Sequence, residues 1–338
     1  MIFDTTIVPE DLNTIPDLAR EIETRGFDGM WTPETAHNPF LPLTLAAHTT
    51  TRLALGTAIA LAFPRSPMTT AYIAWDLAAQ SKGRFILGLG TQVKAHITRR
   101  FSTEWGSPGP RLRDYILALR AIWHAWQHNE RLNYRGEFYS HTLMTPFFQP
   151  APIEHPEIPV YIAGVNTYLC QLAGELCQGF HVHPFHTADY LRDVVITNVE
   201  KGAAKAGRSR QDVALTCAIF VVTGANDNEL ENDKVMVKSQ IAFYASTPSY
   251  RAVLEYHGLG DLQDQLSKMA REGRWMEMHE LISDDMLEKF AVVATHHDLP
   301  HKVKARYDGL LDRVAYYMPF QPGEREAMWQ ASLDVFSQ

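Results

Sequence analysis

The sequence predicts an α/β fold, a single (β/α)8 barrel, and three observations carry that expectation. Short aliphatic runs alternate with longer amphipathic stretches, the pattern of repeated βα units on a parallel sheet. Eight such runs can be counted, and no linker, repeat or low-complexity tract divides the 338 residues into separate domains. Barrels of this type extend past about 250 residues as one unit, so length alone does not require a second domain.

In chain order the strands are expected at residues 2–8, 29–32, 53–60, 85–90, 160–164, 179–183, 213–222 and 313–318. Between them the helices carry their own punctuation. Ser66 with Pro67 behind it reads as an N-cap followed by a first-turn proline, and Gly179 reads as the close of a helix that begins near Thr167. Leu112, Ile116, Leu119, Trp123 and Trp126 recur at spacings of four and three, a stripe expected to pack against the outside of the barrel as core. Three stretches exceed the minimal barrel and read as insertions: 91–109 after the fourth strand, 133–159, and 250–299 after the seventh. The middle one, with Tyr134-Arg-Gly-Glu-Phe-Tyr and Leu143-Met-Thr-Pro-Phe-Phe, suggests a hairpin lid over the mouth, and the last looks helical and polar. The whole chain is therefore expected to be one barrel domain.

Composition narrows the function classes. With 46% apolar and 21% charged residues the chain can bury a large core without disulfides or metals. Acidic residues outnumber basic ones 39 to 31 and the basic ones are scattered, which argues against nucleic acid. The longest apolar run, Leu53 to Phe63, is about half of what a membrane helix requires, so no membrane partner is expected. The first residues lack the basic region and cleavage site of a signal peptide. Three cysteines, Cys170, Cys177 and Cys217, without ligand-like spacing suit the reducing cytoplasm.

Functional groups of such barrels lie where strands end. After the second strand, Thr32-Pro-Glu-Thr-Ala-His offers a carboxylate at Glu34 and an imidazole at His37, suited to proton transfer, although the same loop also reads as a capped lead into a helix at Pro42. The third strand ends in small residues around Ala58 and Ala60, which either let a flat ligand approach the backbone or fit a tapered interior. The fourth ends in Gly88-Leu-Gly90 followed by Thr91 and Gln92, where backbone N–H groups can face an anion. Lys94, Arg99 and Arg100 beyond it read as a solvated loop. The fifth ends in Gly164-Val165-Asn166-Thr167, with Asn166 or Thr167 capping a helix whose first amides suit a phosphate. At the sixth, His181 and His183 share a face, with His186 beyond. Paired histidines raise a metal-dependent hydrolase, but no carboxylate at a matching strand end completes a ligand set and His296-His297-Asp298 reads as surface, so no metal is expected. His183 and Phe185 are the candidates for a substrate pocket.

Together these motifs resemble the luciferase-like superfamily of flavin- and deazaflavin-dependent barrels, in particular its deazaflavin-dependent oxidoreductases. The carriers are Gly26-Phe-Asp-Gly-Met-Trp, Arg52-Leu-Ala-Leu-Gly-Thr-Ala-Ile, Arg65-Ser-Pro, Gln80-Ser-Lys-Gly-Arg-Phe-Ile-Leu-Gly-Leu-Gly, Arg135-Gly-Glu-Phe-Tyr, Pro159-Val-Tyr-Ile-Ala-Gly and Leu172-Ala-Gly-Glu. The resemblance implies a planar ring held over the third strand at a non-prolyl cis peptide, here at Ala58 to Ile59. The cofactor tail would run toward Gly90, Thr91 and Gln92 on one side and Gly164, Val165 and Asn166 on the other. It implies hydride transfer between coenzyme F420 and a small organic substrate, with Glu34 or His37 supplying the proton, in a homodimer. The alternatives are an FMN-dependent two-component monooxygenase served by a separate reductase, a cofactor-binding barrel without turnover, and the metal-dependent hydrolase.

Overall fold

The computed structural model describes residues 1–337. Its strands are β1 (Ile2–Thr6), β2 (Gly29–Thr32), β3 (Ala54–Thr57), β4 (Ala60–Leu61), β5 (Phe85–Gly90), β6 (Tyr134–Arg135), β7 (Ser140–His141), β8 (Val160–Gly164), β9 (Gly179–Val182), β10 (Ala214–Gly224), β11 (Ala291–Thr295) and β12 (Arg313–Tyr316). Taking β3 and β4 as the two halves of one broken strand, and setting aside the β6–β7 hairpin and β11, the parallel strands with helices between them form the expected (β/α)8 barrel. All eight expected barrel strands are present, with ends shifted by a few residues.

The chain divides into two compact units, one of residues 1–6, 182–198 and 214–338, the other of 7–181 and 199–213. In the second of these, β2 pairs with β3 from Gly29↔Ala54 to Thr32↔Thr57, β3 and β4 both pair with β5, and β5 pairs with β8, every pairing parallel. The helix Pro67–Gln80 opens as its sequence dictates: the Ser66 side chain accepts the Thr69 N–H, and Pro67 stands where no N–H is needed. The helix Pro108–His128 buries Leu112, Ile116, Leu119, Trp123 and Trp126, so the stripe is core. The helix Thr167–Leu176 ends at Cys177 in extended conformation, not at Gly179. Gly179 instead opens β9, because a Cβ there would sit 2.5 Å from the Tyr161 ring.

The hairpin expectation is met at 134–141 but with a shorter ladder, Tyr134↔His141 and Arg135↔Ser140, and the segment 143–148 forms no strand. Asp114 fixes it to the long helix. Its carboxylate accepts the N–H groups of Phe138 at 2.6 Å and Tyr139 at 2.9 Å and the Tyr134 hydroxyl.

In the other unit β12 lies between β1 and β10, and Arg313 forms a bidentate, buried pair with Asp4 at 2.7 and 2.8 Å. The stretch 250–299 departs from its all-helical reading. After helices Arg251–Tyr256, Gly260–Arg271 and Asp284–Phe290 it supplies β11, which pairs with the second half of β10 from Phe220↔Ala291 to Gly224↔Thr295. The barrel needs only the first half of β10, against β12. Its remaining backbone groups must still find partners, and β11 provides them.

Candidate active site

The third strand breaks between Thr57 and Ala60, and the peptide Ala58–Ile59 is cis. The neighbouring sequence explains how the break is held. On one side, Ala58 N–H donates to the Thr32 carbonyl and the Ile59 carbonyl accepts the Glu34 N–H. On the other, Thr57 Oγ1 donates to the Gly88 carbonyl at 2.6 Å and accepts the Gly88 N–H at 2.9 Å. Only glycine fits at 88, since a Cβ would lie 1.8 Å from the Thr57 carbonyl oxygen.

Glu34 closes the frame. Its two carboxylate oxygens each receive an Arg65 Nη–H at 2.8 Å, and Oε2 also accepts the Leu61 N–H at 2.7 Å. Arg65 returns a bond to the Leu61 carbonyl at 3.1 Å and lies over the Phe40 ring. Glu34 therefore holds the segment that follows the cis peptide, with its backbone N–H at Ile59 and its carboxylate at Leu61. Arg65 stands in the Arg-Ser-Pro motif immediately after the strand, the one sequence signal that pointed to it.

His37 is exposed on the same loop, two residues from Thr35, whose carbonyl accepts Arg100 Nη2 at 2.6 Å. Arg100 thus tethers this loop to the one after the fourth strand, a role absent from its reading as a solvated side chain.

Four strand exits in this unit can be compared by burial. Thr57 and Ala60 are buried, whereas Ala58 and Ile59 between them are partly open. Thr91 and Gln92 are partly open at the fourth exit, Gly164 and Val165 at the fifth, and His181 at the sixth. Gln92 adopts φ +56°, uncommon for a residue with a Cβ, and its own side-chain oxygen accepts the Val93 N–H. Gly90 is where the Ile59 side chain lies, a Cβ there meeting Ile59 Cδ1 at 2.5 Å. Asn166 caps its helix as expected, accepting the Leu169 N–H at 2.9 Å. The space at Gly56 is filled by the Trp31 ring, which also meets His181 edge-on at 5.0 Å, so the small residue there admits a neighbouring side chain.

Were a flat cofactor ring bound here, Ala58 and Ile59 would hold it against the backbone, and the exits at Thr91, Gln92, Gly164, Val165 and Asn166 would receive its tail. Arg111 borders the region, donating to the Glu104 carbonyl and the Tyr139 hydroxyl while its guanidinium lies 4.6 Å from the Phe63 ring centre.

In the other unit, His183 stacks on Tyr250 at 4.4 Å, with Tyr244 edge-on at 4.8 Å, and its Nδ1 accepts the Phe185 N–H. Burial first, then the neighbouring His186, lowers its pKa to about 3, so it is neutral. Phe185 is fully buried and stacks on Phe290. His186 is buried with its pKa lowered to about 4, and its Nδ1 faces the His183 carbonyl at 2.9 Å. Among the described residues no three His, Cys, Asp or Glu side chains gather as metal ligands, and no helix is long and apolar enough to cross a membrane.

The fold defines the class: an α/β barrel of eight parallel strands whose third strand is broken between Thr57 and Ala60. The chain belongs to the luciferase-like monooxygenase family, whose sequence profile matches residues 3–313. It is 46% identical over 307 residues to an uncharacterized protein of Mycobacterium tuberculosis, covering 91% of this chain and 90% of that one. It is 25% identical over 313 residues to a 5,10-methylenetetrahydromethanopterin reductase of Archaeoglobus fulgidus, 90% of each chain. Among solved structures it matches the coenzyme F420-dependent tetrahydromethanopterin reductase of Methanopyrus kandleri with a TM-score of 0.80 at 22% identity, over 99% of this chain and 98% of that one.

Proposed function

We propose that the protein transfers a hydride between coenzyme F420 and a small organic substrate. The observation that carries this reading is the pair of partly open residues Ala58 and Ile59 between buried Thr57 and Ala60, which suits a flat redox ring. The reductases among the relatives, one of them F420-dependent by name, favour a deazaflavin. When bound, such a group supplies or accepts the hydride.

The chain's own residues do the rest. Glu34, engaged by Arg65, keeps the broken strand in shape, and His37 on the same loop exchanges a proton with the substrate. Ala58 and Ile59 seat the ring, and Gly90, Thr91, Gln92, Gly164, Val165 and Asn166 guide its tail. His183 and Phe185 belong to the substrate side. The chain is read as one barrel domain, homodimeric and cytoplasmic.

A second reading keeps the seat and takes FMN, delivered reduced by a separate reductase, for insertion of oxygen into the substrate. The family's description as monooxygenases favours it. Titration of the purified protein with each cofactor separates the two. The F420 reading expects saturable binding of F420 and anaerobic turnover monitored at the deazaflavin absorbance. Tight FMN binding with product formed only in the presence of oxygen overturns it.

A further inference from the structure

Outside the cofactor seat, the unit that contains His183 gathers aromatic rings with an unspent hydrogen-bond donor among them. Tyr244, on the helix Asp227–Ala245, and Tyr317, just past β12, meet hydroxyl to hydroxyl at 2.5 Å. His183 and Tyr250 pack against Tyr244, and Phe220 meets Tyr317 edge-on at 4.9 Å. His183, Tyr244, Tyr250 and Tyr317 are each partly open, over a floor of buried Phe185 and Phe220.

Hydrogen counting is what makes this pair informative. Two phenols carry two O–H groups, and their mutual bond uses one of them. The phenol that accepts keeps its own O–H, made a better donor by the bond it receives. Neither hydroxyl has another partner among the described residues. The second O–H is free for an acceptor from outside the protein.

Beside Tyr317 lies a cavity of about 210 Å³, with Phe220, Met236, Val237 and Trp329 in its wall. A cavity of about 150 Å³ suffices for benzene, so there is room for a single ring. Its charged lining does not favour an anion. Arg325 is paired with Asp233 at 2.8 Å, and Glu324 adds a second carboxylate. Among the described residues Arg325 Nη1 is buried without a partner, but two carboxylates against one guanidinium leave this lining net negative and unfavourable to a ligand carboxylate. His183, held neutral, adds no cation from the aromatic side.

We propose that the Tyr244–Tyr317 pair is a substrate-recognition site for an uncharged aromatic or conjugated carbonyl compound, its ring held among the aromatic side chains and its oxygen accepting the free phenol O–H. As the identity of the substrate, this rests on the oxidoreductase reading; as a binding site, it stands apart from the cofactor. Aromatic packing gives affinity for the ring, and the single donor gives preference for an oxygen over a methylene at the same position.

The test uses the cofactor-free protein and three probes of similar shape: acetophenone, ethylbenzene and benzoate. Binding is measured by ligand-observed NMR. Either single variant, Tyr244→Phe or Tyr317→Phe, leaves one phenol whose O–H is now free, so the decisive protein is the double variant, which has neither. The expected result is that acetophenone binds at least tenfold more tightly than benzoate. The acetophenone-to-ethylbenzene affinity ratio should fall about fivefold in the double variant and less in either single one. An unchanged ratio in the double variant, or benzoate binding as tightly as acetophenone, overturns the proposal. Where the double variant does not fold, titrations followed at the wild-type tyrosine ring resonances, assigned from the single variants, decide: the midpoint for acetophenone must lie about fivefold below that for ethylbenzene, and equal midpoints overturn it. Failure of the F420 titration leaves these measurements intact, and failure here leaves that titration intact.

Discussion

Replacing Glu34 with glutamine tests the brace around the cis peptide. The carboxylate accepts three hydrogen bonds of 2.7 to 2.8 Å, two from Arg65 and one from Leu61 N–H, and its side chain is only 7% exposed against 16% for Arg65. An amide in its place keeps one oxygen acceptor and turns an N–H toward a guanidinium that also only donates. Breaking a buried ion pair by removing one partner costs about 3–5 kcal/mol. Because Arg65 retains some contact with water, the lower end applies, about 3 kcal/mol. A second variant separates the pair from its surroundings. In Glu34→Gln with Arg65→Met no charge is stranded, so the combined cost should fall short of the sum of the two single costs by about 2 kcal/mol. Equilibrium urea unfolding at pH 7, followed by tryptophan fluorescence, reads all four proteins. A loss below about 1 kcal/mol for Glu34→Gln, or simple additivity in the double variant, refutes the brace.

His183 and His186 have folded pKa values lowered to about 3 and about 4, so the unfolded chain binds protons below about pH 6.5 that the folded chain refuses. Their contribution is complete above that pH and is lost as pH falls toward 4, with a slope of up to about 1.4 kcal/mol per pH unit for each imidazole; in His183→Gln the urea midpoint should depend less steeply on pH between 6.5 and 5, and an unaltered slope contradicts the assignment. Arg313→Met strands the buried Asp4 carboxylate and should cost about 3–5 kcal/mol in urea unfolding, whereas Asp4→Leu with Arg313→Met should recover most of it. Asp114→Asn should loosen the hairpin, raising amide hydrogen exchange at 134–141 about tenfold while the long helix keeps its protection; equal protection in both proteins means that Asp114 does not hold it.

The barrel was legible because its strands are buried on both faces and read as aliphatic runs whatever their partners. Val160–Gly164 and Phe85–Gly90 are cases of this kind. The strand Ala291–Thr295 was not, although it is the same sort of run. It sits at the end of a polar helical stretch, and only the overhang of β10 past its pairing with β12, visible in three dimensions, calls for a partner there. Gly179 was misassigned for a related reason. Glycine signals either a helix end or a close approach, and the ring of Tyr161, eighteen positions earlier, made it the second.

The site divides along the same line. Residue types at strand exits are local, so Glu34, His37, Thr91, Gln92 and Asn166 could be picked out from their positions. What each side chain bonds to is not local. Arg65 lies 31 residues from Glu34, and Tyr317 lies 73 from Tyr244. A carboxylate in a strand-end loop reads equally well as an acid, a base or a brace, and the choice depends on whether its lone pairs are already engaged. Both Glu34 oxygens are, by the Arg65 guanidinium, which has only donors to offer. The exposed imidazole at His37 is under no such constraint, and so the proton of the proposed reaction falls to it.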